Sequence, residues 1–160
     1  MKMLKILNGI LLTLTFLFFA ALITVVTLQI LGRYMPFSFI WTEEASRYCF
    51  IFGIVFGAPL TMYRREFVRV DLILYVIPDK LKKYYDAVMY LMIGTFSIIF
   101  MIAAFNFSSV GQNQTSSTLG IPMSVIYSSM TVSFALLIIY SLLNAYYSLF
   151  NKFDREEETL

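Results

Sequence analysis

The chain has no histidine and a single cysteine among 160 residues. Without histidine there is no His-ligated haem, no ordinary zinc or copper site and no His-based catalytic triad. Cys49 has no partner for an internal disulfide. It lies in an apolar run, where a thiol packs as a small hydrophobe. Charge is scarce too: 14% of the residues are Asp, Glu, Lys or Arg, where a soluble domain carries about 25%. With 59% hydrophobic residues, too little polar surface remains to cover a water-soluble sphere, and the solvent implied is a lipid bilayer. The net charge of +2 is too small to point to nucleic acid.

What is present is a set of long uncharged runs. Ile6 to Gly32 has 27 residues without a charge, more than the ~20 that cross a ~30 Å hydrocarbon core as helix. Lys2 and Lys5 resemble the n-region of a signal peptide. The run is longer than the about 7–15 residues of a cleaved h-region and no A-x-A site closes it, so an uncleaved first helix is expected. Tyr48 to Tyr63 has only 16 uncharged residues, roughly 24 Å of helix. To cross, this helix must start near Trp41, which places Glu43, Glu44 and Arg47 on the helix at the membrane edge. Ala87 to Asn151 is uncharged for 65 residues and must break. The break falls at Gly111–Pro122, where seven small or amide polar residues lie between glycines and a proline. The expected fold is an all-α integral membrane protein, one membrane domain over 1–160, with spans at about 6–32, 41–63, 87–110 and 123–150.

Lys and Arg set the expected orientation. Ten of the twelve fall on one side of a four-span chain, at the N-terminus, in the second loop and in the tail; only Arg33 and Arg47 fall on the other. Both termini are therefore expected in the cytoplasm. In the second loop, Val70, Ile73, Leu74 and Ile77 keep helical spacing until Pro78, and Leu81, Tyr84, Tyr85 and Val88 repeat it. Short amphipathic interfacial helices are expected here, with Lys80, Lys82 and Lys83 snorkelling to water.

The candidate functional residues are few. Glu43–Arg47 and Glu44–Arg47 are i,i+4 and i,i+3 pairs on one side of the second helix, and Arg33 can reach the same level. An acidic cluster in a span can mark an ion path; its place at the membrane edge favours helix docking instead, within the chain or to another subunit. Gly53 and Gly57 form a G-x-x-x-G that suits close helix approach. Pro59 frees a carbonyl that a neighbouring helix would have to satisfy. Asn106, Ser108, Ser109 and Asn144 are the polar residues of interest in the third and fourth spans. They are too few to build a site for a charged substrate, and the spans lack the broken, Gly-rich helices of midplane transporter sites. Asn113-Gln114-Thr115 matches a glycosylation sequon, a weak pattern. The residues describe a membrane subunit without a visible catalytic set, metal site or cofactor.

The order of the motifs resembles the small membrane subunit (DctQ or SiaQ type) of tripartite ATP-independent periplasmic, or TRAP, transporters, from about Leu7 to Phe150. Gly32-Arg33 closes the first helix and Trp41-Thr42-Glu43-Glu44-Ala45-Ser46-Arg47 opens the second. Gly57-Ala58, Arg69-Val70-Asp71, Ile77-Pro78, Leu119-Gly120-Ile121-Pro122 and Tyr127 follow in order. Many relatives carry histidine shortly before the Val-Asp pair, where this chain has Arg64-Arg65-Glu66-Phe67. The resemblance implies a scaffold in a bacterial or archaeal inner membrane. An obligate large elevator-type subunit would hold the sodium ions and the substrate, and a periplasmic binding protein would deliver an organic anion of the sialic acid or C4-dicarboxylate class. In that setting Arg33, Trp41, Glu43, Glu44, Arg47, Gly53 and Gly57 are expected at helix-docking or subunit interfaces. Arg33, Glu44 and Arg47 would organise the ends of the first two helices. Asp71 would anchor the loop with Lys80, Lys82 and Lys83, and Ser117, Gly120 and Pro122 would receive the binding protein.

Three other classes compete. A small multidrug exporter needs a glutamate in its first span, and none is there. A quinone-linked membrane anchor fits the absence of histidine if it binds no haem. An intramembrane protease needs Ser–His or paired Asp within the spans, and neither occurs.

Overall fold

The computed structural model describes residues 2–34, 40–64 and 79–150. These form four helices: α1 (Lys2–Gly32), α2 (Trp41–Tyr63), α3 (Asp79–Gly111) and α4 (Met123–Phe150). Each contains a stretch long and apolar enough to cross a membrane. Helix is the form such sequences must take in lipid, because every backbone N–H and C=O is then satisfied inside its own segment. Turns close the helices where the sequence changes: Arg33 and Tyr34 bond back to Ile30 and Leu31 at the end of α1. Gly111, at the end of α3, leads into the polar 112–122 connection.

One boundary differs from the sequence reading. Residues 79–86, expected as a separate amphipathic helix, are the first two turns of α3. Nothing between Asp79 and Val88 breaks a helix, and the apolar positions 81, 84, 85 and 88 stay in phase with the span that follows. The amphipathic stretch expected over Val70–Ile77, with Asp71, lies outside the described residues.

The helices lie in a row. α1 packs along α2, α2 against α4, and α4 along α3. Among the described residues no extended α1–α3 seam closes a ring, so α1 and α3 form the two edges. Phe18 of α1 stacks on Phe52 and Phe56 of α2, with centroids 5.2 and 5.7 Å apart. A cluster of Met62, Tyr90, Leu137, Tyr140 and Ala145 joins α2, α3 and α4, with Leu4 of α1 packed against it. The outward faces of the helices carry large apolar side chains, as a lipid solvent requires: Phe16 is 75% exposed and Phe105 67%.

Polar side chains lock the row together. Pro59 lies inside α2 and has no N–H, so the carbonyl of Val55, four residues back, loses its partner in the helix. Ser133 of α4 donates to that carbonyl at 2.8 Å. Asn144 Nδ2 donates to the carbonyl of Met62 in the last turn of α2, at 2.7 Å. Ser141 donates to the Tyr90 carbonyl, and Gly94 makes room for it, since a methyl group there would lie 2.8 Å from the Ser141 oxygen. Tyr140 donates to Asn8 Oδ1 of α1 at 2.9 Å.

Candidate functional site

The densest polar structure is at the end of the row where α2 and α4 begin. The 112–122 connection is a small closed loop. Thr115 and Pro122 form an antiparallel bridge, with Ser116 N–H donating to the Ile121 carbonyl and Met123 N–H to that of Gln114, both at 2.9 Å. The chain can turn back so tightly because Gly120 adopts φ +66°, a conformation that costs glycine little. The turn leaves three consecutive N–H groups, at 117, 118 and 119, pointing inward beside the hydroxyls of Ser116, Ser117 and Thr118. Successive N–H groups converging in this way form an anion-binding nest.

Glu44, in the first turn of α2, fills that nest. Its Oε1 accepts from Ser117 N–H at 3.2 Å and Ser117 Oγ at 2.8 Å. Its Oε2 accepts from Thr118 N–H at 3.1 Å and Leu119 N–H at 3.2 Å, and from the hydroxyls of Ser116 and Thr118. A carboxylate offers about four lone-pair sites, and six donors crowd around this one. No open position is left for a cation. The contact is a clasp: it ties the start of α2 to the connection between α3 and α4. Tyr48 runs beside it, its hydroxyl 3.9 Å from the Met123 sulfur at the start of α4.

The other residues singled out from the sequence fall around this clasp or away from it. Glu43 pairs with Arg47 at 3.5 Å, both side chains largely exposed, and such a pair adds little to stability. Among the described residues Glu44 pairs with neither Arg33 nor Arg47. The junction it serves is α2 with the 112–122 loop, not α1 with α2. Arg33 is exposed in the turn after α1, and Trp41 is partly exposed at the start of α2. Gly53 and Gly57 face α1: a methyl group would lie 3.1 Å from the Phe19 ring at Gly53 and 3.3 Å from Thr15 Cγ2 at Gly57. Lys80, Lys82 and Lys83 lie on the first turns of α3, with Lys82 half-buried. Ser117 belongs to the clasp. Gly120 and Pro122 are exposed at the loop's surface, with open space beside Gly120.

The donors to Glu44 were not legible as partners. Ser116, Thr118 and the Leu119 N–H lie more than seventy residues from Glu44. The local signal was a Ser-Ser-Thr run ahead of a glycine, which marks a turn without saying what the turn encloses. Ser133, Ser141 and Tyr140 were missed because a hydroxyl in an apolar helix carries no periodic signature.

A family model described as tripartite ATP-independent periplasmic transporters, DctQ component, matches residues 22–151. The chain belongs to this family. The match takes in α2, α3, α4, the clasp and the last third of α1. No curated protein matches the chain. As a DctQ component the chain is the small component of a TRAP transporter, a transporter subunit rather than a member of an enzyme family. Four apolar helices agree with a multi-pass membrane protein.

Proposed function

We propose that the chain is the static scaffold of a sodium-driven TRAP transporter in the inner membrane, with both termini in the cytoplasm. A large elevator-type subunit, its obligate partner, binds sodium and an organic anion of the sialic acid or C4-dicarboxylate class. This chain holds that partner's frame at a constant level in the bilayer. The observation that carries the reading is where the polar groups of the spans are used. Ser133, Ser141, Asn144 and Tyr140 each bond to a neighbouring helix of the same chain, and Glu44 bonds to the loop. These groups build a rigid body instead of converging on a ligand.

In this reading Arg33, Trp41, Glu43 and Arg47 rim the outer face near the partner subunit. Gly53 and Gly57 hold α1 on α2. Asp71, Lys80, Lys82 and Lys83 anchor the cytoplasmic side. The clasped loop presents Gly120 and Pro122 to the periplasmic binding protein, and Glu44 sets its height. The test is reconstitution in proteoliposomes under an inward sodium gradient. Uptake is expected only with this chain, its large partner and the binding protein together. Uptake by this chain alone, or undiminished uptake without it, overturns the scaffold reading.

A further inference from the structure

Hydrogen bonds tie α2 and α3 to α4 at several points and α1 at one. Among the described residues each hydrogen bond between two spans has one end on α4. Ser133 and Asn144 bond to carbonyls of α2. Ser141 bonds to the Tyr90 carbonyl of α3, and Ser108 of α3 to Ser128 at 2.8 Å. α1 has a single such bond, from Tyr140 to Asn8 Oδ1 at 2.9 Å. Its other holds are apolar: Phe18 stacked on Phe52 and Phe56, Phe19 against Gly53, Thr15 Cγ2 against Gly57 and Leu4 on the core cluster.

Side-chain length explains how one short stretch of α4 reaches three helices. Ser141 is short, and Gly94 lets α3 come close enough to meet it. Tyr140 and Asn144 are four residues apart and share a side of α4. The Asn144 amide stops at α2. The longer Tyr140 phenol passes α2, its ring 5.7 Å from that of Tyr63, and ends on α1. This one polar link to α1 is buried and half satisfied. Asn8 is 7% exposed and Tyr140 2%, yet Asn8 Nδ2 has no partner among the described residues. Between Leu4 and Gly32 the buried residues are Asn8, Leu11 and Gly32, so one of the two buried side chains that hold α1 is an amide with an idle donor. A buried donor left unpaired costs at least as much as one hydrogen bond returns, and an apolar pair of the same shape would hold as well or better. The link is therefore a weak one, on the helix with the fewest other polar ties.

We infer that α1 is a releasable arm, strapped by the Tyr140–Asn8 hydrogen bond to a fixed body of α2, α4 and α3. The strap lies within the chain and does not depend on its partners. Maleimide labelling of the full chain in mixed micelles measures release. The reporter is Thr15→Cys, which faces Gly57 of α2, or Ser97→Cys, buried on α3, each in a Cys49→Ala background. Tyr140→Phe should speed labelling at Thr15→Cys by about three- to tenfold, the range of one interhelical hydrogen bond in a membrane protein, and leave labelling at Ser97→Cys unchanged. Ser141→Ala should do the reverse. Asn8→Leu combined with Tyr140→Phe removes both polar partners and should bring labelling at Thr15→Cys back to within about twofold of the starting chain. Equal acceleration at both reporters after Tyr140→Phe would mean a general loss of stability and overturns the strap. Unchanged labelling at Thr15→Cys overturns it as well, because apolar packing on α2 would then hold α1 unaided. If the double variant labels faster than Tyr140→Phe alone, the buried pair is a net stabiliser and α1 is not built to release.

Discussion

Ser133→Ala removes one oxygen and leaves the Val55 carbonyl with no donor. In most helices the loss would be small, because the carbonyl keeps its bond to the N–H four residues on. Here that residue is Pro59, and Ser133 supplies the replacement from α4 at 2.8 Å. An unsatisfied buried carbonyl costs about 1–3 kcal/mol, while side-chain hydrogen bonds between membrane helices average about 0.6 kcal/mol. Ser133→Ala should therefore destabilise the chain by about 1–2 kcal/mol, above the membrane average. The decisive comparison is with Pro59→Ala, which returns an N–H to the helix and can satisfy Val55 internally. In that background the cost of Ser133→Ala should fall to about 0.5 kcal/mol or less, a coupling of about 1 kcal/mol in a double-mutant cycle. Reversible unfolding in mixed micelles, followed by circular dichroism, measures all four variants. Equal cost of Ser133→Ala in both backgrounds would refute the reasoning, because Ser133 would then not be acting for the missing Pro59 donor.

Three further outcomes follow from the same geometry. Glu44→Gln replaces one acceptor oxygen with a donor facing the hydroxyls and N–H groups of residues 116–119, so amide exchange across 117–119 should speed up while the helices stay protected; unchanged exchange would remove the clasp. Gly94→Ala puts a methyl group 2.8 Å from the Ser141 oxygen and should destabilise the α3–α4 pair by about 1–3 kcal/mol, whereas Gly9→Ala, with open space around it, should be neutral or slightly stabilising in the same unfolding assay. Gly120→Ala meets no neighbour but strains a φ of +66°, so a loss of about 1 kcal/mol should appear as faster exchange at Ser116 and Met123, whose N–H groups close the loop.

The helices were readable because their cause is local. An uncharged run of 27 residues in a chain this apolar has one stable form in lipid, and the run of polar residues at 112–118 has one obvious use. The requirement that the Pro59-freed carbonyl find a donor was readable too, since it follows from proline's missing N–H. Which residue meets it was not. Ser133 is one of many hydroxyls in α4, and only the pairing of α2 with α4 selects it. The first turns of α3 show the opposite limit. Leu81, Tyr84, Tyr85 and Val88 fit a surface helix and the start of a span equally well, and continuity of the backbone decided between them.

Composition and the spacing of charge thus determined that the chain is a four-helix membrane protein, where its spans break and that Glu44 stands on the first turn of the second helix, because each depends on a residue's immediate neighbours and on the length of helix a bilayer requires. Only the tertiary structure decided that Glu44 closes a loop more than seventy residues away and that the helices stand in the order α1, α2, α4, α3. Packing order depends on how side chains from distant segments meet, and no local pattern of hydropathy records it.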